Sequence, residues 1–124
     1  MPDAQRHPAW PAIVAMLQPA ADYGGTDAWA AGDLVWIAYE GPTIYGAATA
    51  HALGHKAEVA AMAGTRFREW IGLIDAEIGA WARDNGADRL TACGRPGWAR
   101  FAKCFGWAAV GADDAGRVIF EKEL

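Results

Sequence analysis

The sequence predicts an α+β domain. Helices are layered (α/β/α) on a mixed central sheet of about five to six strands, with a long central helix and a short C-terminal helix. Three observations predict it. Apolar, β-prone runs separated by Gly and Pro follow one another over residues 34–62. A helical apolar period then fills most of 65–85. A short strand, a short helix and a last hairpin complete the chain, so one strand–helix–strand crossover must lead to a parallel neighbour.

Residues 8–18 read as a short helix. Trp10, Ile13, Val14 and Leu17 fall at helical spacing, Pro11 suits a first turn, and Pro19 is expected to end it. Residues 20–32, rich in Gly, Ala and Asp, read as a loop or a poor second helix. Leu34–Tyr39 and Thr43–His51 form a hairpin across Glu40-Gly41-Pro42. Gly54-His55 is a second turn, and Lys56–Met62 is a third strand, weak in propensity because of its alanines. Thr65 is the expected N-cap of the long helix. Trp70, Ile74, Ile78 and Trp81 give its apolar stripe, and Gly86 supplies its stop. Arg89–Cys93 is a fourth strand. Gly97–Phe105 is a helix whose apolar side is Trp98, Phe101 and Phe105. Gly106–Val110 and Arg117–Lys122 make the last hairpin.

Composition excludes several classes. The chain has 124 residues, 53% of them hydrophobic, which fits one domain (1–124) with its own core and not a disordered chain. Apolar runs are too short for a membrane span, so no membrane partner is expected. The start, MPDAQRHPAWPAI, lacks the regions of a signal peptide, so a cytoplasmic location is the default expectation. The absence of serine excludes a serine nucleophile. No GxxxxGK[ST] loop is present. Cys93 and Cys104 form no metal motif and are expected as small core residues. His51 and His55 span a turn and make a poor ligand pair, so no metal is expected.

Charge is uneven. Residues 1–55 hold five acids and only Arg6 as a base. Residues 89–103 hold Arg89, Arg95, Arg100 and Lys103 and no acid. A formal charge of −4 with one local basic stretch does not suit a general nucleic-acid binder. The stretch fits either a small anion such as a phosphate or a solvated helix face.

Three segments carry a family resemblance. Lys56-Ala57-Glu58-Val59 looks like an "AE(I/V)" strand start. Met62 and Ala63 run through Gly64 to Trp70 as a strand–glycine–helix passage. GRPGWARFAKCFGW, residues 94–107, looks like a strand–helix–"GF" signature, with Gly106-Trp107 as the glycine–aromatic pair. With the element order, these segments resemble the GNAT superfamily of acyl-CoA N-acyltransferases over roughly residues 34–124. The GRPGW segment and the EKEL ending also resemble small GNAT-like proteins of tailed phages, prophages and gene transfer agents, including internal virion proteins. Residues 1–33 look too short and alanine-rich to supply the family's first strand and paired helices.

The resemblance implies acetyl-CoA or CoA as cosubstrate and a small amine or peptide N-terminus as acceptor. It implies Glu58 as general base; the alternative is an outward charge on an alternating strand. It implies a pyrophosphate cradle at Met62, Ala63, Gly64, Thr65, Arg66 and Arg68; the alternative is a tight strand-to-helix turn, since the family's longer glycine-spaced loop is missing. Arg95 and Lys103 are further phosphate candidates, with Arg100 a surface charge. Pantetheine requires a V-shaped gap between the family's strands four and five. One departure stands out. Where many members carry a tyrosine four residues before the "GF" glycine, this chain has Ala102, which cannot protonate a leaving thiolate. Two functions therefore follow. One is an N-acyltransferase. The other is a non-catalytic, virion-associated relative that binds phage structural proteins, with some of the seven tryptophans, such as Trp36, Trp98 and Trp107, at an interface.

Overall fold

A computed structural model describes residues 6–23 and 34–124. Trp29 and most of the stretch expected as a loop or weak helix lie outside the described residues. The elements in order are α1 (Trp10–Tyr23), β1 (Leu34–Glu40), β2 (Thr43–Leu53), β3 (Lys56–Gly64), α2 (Phe67–Asp84), β4 (Arg89–Gly94), a 3-10 turn (Pro96–Trp98), α3 (Ala99–Cys104), β5 (Ala108–Ala112) and β6 (Val118–Glu123). One six-stranded sheet runs β1-β2-β3-β4-β6-β5. Only β3 and β4 are parallel, and α2 is the crossover between them.

The two faces of the sheet carry different cores. On one face Trp70, Ile71, Ile74 and Ile78 of α2 pack on Ala48, Ala50, Ala57, Val59 and Leu90. On the other, Ile13 and Leu17 of α1 are fully buried against Ala47 and Ala61. The alanines are thus floor: small side chains let the larger residues of both helices sit close to β2 and β3. Gly46 takes this furthest, because any Cβ there would fall within the indole of Trp70.

The expected helix 8–18 is longer, since Pro19 lies inside α1. The ring removes one backbone bond. Continuing the helix lets Ala20 pack with the sheet-facing cluster, and Gln18 Nε2 donates to Asp22 Oδ1 at 2.8 Å across the proline. Packing outweighs propensity here.

Thr65 is not the N-cap of α2. Arg66 occupies that position, in the left-handed region at φ 57°. The backbone of Thr65 is committed to the sheet: its N–H donates to the Tyr45 carbonyl at 2.7 Å, and its own carbonyl accepts Trp70 Nε1 at 2.7 Å. Gly64, at φ 145°, lets β3 pass against β2 at this point. At the other end, Gly86 N–H bonds to Arg83 O and Ala87 N–H to Ala82 O, which closes α2 where Gly86 predicted.

Candidate active site

The parallel ladder between β3 and β4 is short. It pairs Lys56 with Arg89, Ala57 with Leu90, Glu58 with Thr91 and Val59 with Ala92, and then stops. On the other side of β3, Val59 faces Ala50 and Ala61 faces Thr49, which leaves Ala60 as an extra residue. Ala60 and Ala61 accordingly both pack on the α1 side. This bulge turns β3 just where pairing with β4 ends. Beyond this point β3 and β4 part, and the gap between them is open.

A cavity of about 320 Å3 fills the gap. At one end it is lined by Gly64, Phe67, Trp98 and Phe101. The middle is Val59–Gly64 facing Ala92–Arg95, with Ala102 above. The inner end is Ile71, Asp75, Ile78, Phe105, Trp107 and Phe120. Pro19 and Ala20 of α1 also touch it, so the cavity passes through the sheet from one helical layer to the other. Phe67 to Ile78 is about 16 Å of helix, at 1.5 Å per residue. Aromatic edges close the outer end: Phe67 and Trp98 lie 4.8 Å apart in an edge contact, with Phe101 at 6.1 Å from Trp98.

The candidate residues separate. Met62, Ala63, Gly64 and Arg95 line the cavity. Thr65 and Arg68 are exposed at the turn into α2 and on its first residues, and Lys103 is exposed on α3 outside the lining. Arg66 faces a separate groove between the β1–β2 hairpin and α2. Its guanidinium stacks 4.1 Å from the Tyr45 ring centre and pairs with both carboxylate oxygens of Glu69, with Nη2 at 2.6 Å from Oε1. The hydrogen bond to Glu69 raises the Arg66 pKa and lowers that of Glu69. The first amides of α2 have no partner four residues back and carry the positive end of the helix dipole.

Glu58 lies one residue before the lining, on the face of the sheet opposite α2. Its Oε1 is 3.5 Å from His51 Nε2, across the β2–β3 pair. Ala102 lines the cavity, so the position that the sequence resemblance matches to a tyrosine faces the gap with only a methyl group.

Three findings go beyond the sequence reading. Asp75 sits on the buried face of α2 at 9% exposure. Its Oδ1 accepts from Trp107 Nε1 at 2.7 Å and its Oδ2 from Lys122 Nζ at 2.6 Å. The signal was present: Asp75 falls between Ile71 and Ile78 on the apolar stripe. Second, Cys93 and Cys104 are not core residues: Cys93 is exposed on β4, where α1 packs instead on β2 and β3, and Cys104 is exposed at the end of α3. Cys93 also lines the cavity. Burial there pushes its pKa up, with the charges of Glu58 and Asp113 adding and Arg117 opposing. Third, the tryptophans expected at an interface are packed. Trp36 meets Trp81 edge-on at 5.4 Å, and Trp98 and Trp107 line the cavity. Among the described residues no cluster of three or more His, Cys, Asp or Glu side chains could hold a metal, and no helix is long and apolar enough to cross a membrane.

Solved structures match this architecture. A Bacillus subtilis acetyltransferase in complex with CoA superimposes with a TM-score of 0.69 at 12% identity, over 92% of each chain. The IAA acetyltransferase of Bacillus cereus gives 0.68 at 13% identity, over 98% of this chain and 95% of that one. The PaiA N-acetyltransferase of Thermoplasma acidophilum, in complex with coenzyme A, gives 0.62 at 16% identity over 73% of this chain, which spans 60% of that protein. No protein-family model and no curated protein matches the sequence. The chain has the GNAT acetyltransferase fold.

Proposed function

We propose that the chain is an acyl-CoA-dependent N-acyltransferase acting on a small amine or a peptide N-terminus. The observation that carries this reading is the gap where the β3–β4 ladder stops at Val59 and Ala92, opening beside the N-terminus of α2. An extended, largely apolar pantetheine arm suits its alanine, methionine and phenylalanine walls. In this reading Met62, Ala63 and Gly64 line the arm. The backbone amides of Arg66 and Arg68 at the start of α2 meet phosphate oxygens, with side-chain charge from Arg68, Arg95 and Lys103, while the Thr65 amide stays bonded to the Tyr45 carbonyl. The acceptor nitrogen attacks the thioester carbon from the α1 side. Glu58, with His51 beside it, takes the amine proton through water.

Isothermal calorimetry with acetyl-CoA tests this. Saturable binding at micromolar to millimolar concentration is expected. No heat at millimolar acetyl-CoA would refute the reading.

A second reading has one observation in its favour. The pairing of Arg66 with Glu69 removes the cradle's best-placed cation from the gap. A GNAT-like chain without catalysis, serving among phage or prophage structural proteins and associated with the virion, fits that commitment. A gene position away from portal, capsid and tail genes would count against it.

A further inference from the structure

Breaking a thioester leaves a thiolate that needs a proton, and the position of the family's tyrosine donor is Ala102. We propose that Cys93 is the proton donor to the departing thiolate. The proposal rests on the acyltransferase reading and adds a catalytic residue to it.

The argument is one of elimination along the cavity wall. Among the described residues, three lining side chains are titratable: Asp75, Cys93 and Arg95. The carboxylate of Asp75 is held by both Lys122 and Trp107. A guanidinium does not release its proton in a protein. Cys93 remains. It sits on β4 directly after Ala92, the last residue paired to β3, and therefore on the lip where the strands part. It shares a strand face with Thr91, which is paired to Glu58.

The charged groups around the thiol are Glu58 from β3 and Asp113 and Arg117 from the β5–β6 turn, with Arg95 two residues along its own strand end. Two of the three that act on it are acids. Burial and these two acids together favour the protonated thiol.

The step balances. The amine lone pair forms the C–N bond. The C–S bond breaks and its electron pair goes to sulfur. Cys93 S–H gives its proton to that sulfur. Glu58, holding the proton taken from the amine, returns one to the Cys93 thiolate. The products are the amide and CoA thiol, with both side chains restored. The return runs along one face of the sheet, where Glu58 is paired to Thr91 and Cys93 stands two residues further along β4.

The test has two arms. In the first, the full chain is incubated with CoA disulfide, and intact and peptide mass spectra locate the mixed disulfide. Cys93 should be labelled well before Cys104, acetyl-CoA should suppress labelling at Cys93 only, and C104A should label like the parent. Equal labelling of both cysteines, or none at Cys93 in a chain that binds acetyl-CoA by calorimetry, overturns the placement. In the second arm, CoA-thiol release from acetyl-CoA is followed with spermidine and with an unblocked alanine tripeptide. C93A should bind acetyl-CoA like the parent but lower kcat by about 100-fold, the usual size of an acid–base contribution, and should remove one limb of the kcat–pH profile. C93S should behave like C93A, since its alcohol is far less acidic. Turnover of C93A within threefold of the parent, an acyl adduct on Cys93, or a parent that binds acetyl-CoA without releasing CoA to either acceptor overturns the proposal. A chain that does not bind acetyl-CoA at all instead fails the acyltransferase reading itself.

Discussion

Replacing Asp75 by alanine should be among the most destabilising single changes in α2. The carboxylate joins three elements: α2, the start of β5 through Trp107, and β6 through Lys122. Its side chain is 11% exposed and that of Lys122 19%. Breaking a buried pair by removing one partner costs about 3–5 kcal/mol. Lys122 can reach water in part, which lowers that figure, while the Trp107 N–H is left unpaired at about 1 kcal/mol. D75A should therefore lose about 3 kcal/mol in urea or guanidinium unfolding, and about 10 °C in Tm for a chain of this length. D75N keeps an acceptor for Trp107 and should lose about half as much. The double replacement D75L/K122M removes both charges and should lie within about 1 kcal/mol of the parent. The decisive quantity is the coupling in the cycle formed by D75L, K122M and the double variant. A D75A loss below 1 kcal/mol, or a double variant as unstable as D75A, would refute the view that an uncompensated Lys122 charge dominates.

Three further outcomes follow from individual residues. G64A should cost about 3–5 kcal/mol by thermal denaturation, because its Cβ would strike the Tyr45 carbonyl oxygen and lie 2.5 Å from the Gly46 Cα at a φ of 145°. For Asp113, burial would raise the pKa. The Arg117 backbone N–H, the Arg117 side chain and the Ala115 N–H outweigh it, so the folded value lies below the ordinary 3.8. Its stabilisation is therefore complete above that value and lost as pH falls through the lower folded one. D113N should flatten the stability–pH curve in that acid window and lower its level near neutrality without changing its slope there. A102Y places a phenol in the gap. In a C93A background it should restore at least a tenth of the parent's CoA release, whereas no recovery in a folded variant that binds acetyl-CoA would argue against a missing proton as the defect.

Much of this architecture was legible because local and tertiary demands agree. The 70–81 apolar period, the Gly86 stop and the hairpin at Gly41-Pro42 each have one physical solution, and the structure adopts it. The misreadings share a cause: a long-range contact overrode a local rule. Pro19 is carried inside α1 because Ala20 gains packing, and Thr65 loses its cap role because Tyr45 and Trp70 claim its backbone. The site divides in the same way. The positions of Met62, Ala63, Gly64 and Arg95 follow from strand order alone. The commitment of Arg66 does not, because it depends on where the Tyr45 ring and Glu69 lie in space. Nor does the exposure of Cys93, which depends on how far α1 reaches across the sheet. Asp75 was readable as a carboxylate on an apolar stripe, but its partners come from 32 and 47 residues away.

The division within the site has a measurable consequence for how acetyl-CoA would bind. Affinity built on guanidinium–phosphate pairs falls steeply with salt, because exposed charges are screened within about 10 Å at 0.1 M and 3 Å at 1 M. Here Arg66 is neutralised by Glu69 and turned toward another groove, and Arg68 and Lys103 stand in solvent. What remains at the gap is a single cation, Arg95, and an apolar channel walled by Met62, Phe67, Trp98 and Phe101, together with the amide end of α2. Apolar burial does not weaken with added salt, and the helix dipole acts only over its first turn. The acetyl-CoA dissociation constant should therefore rise less than about threefold between 50 mM and 500 mM sodium chloride, a range set by the screening lengths above. E69Q, which frees the Arg66 guanidinium, should tighten binding at low salt and steepen the salt dependence. A parent affinity that falls tenfold over that range would mean that side-chain cations, and not the gap, supply most of the binding.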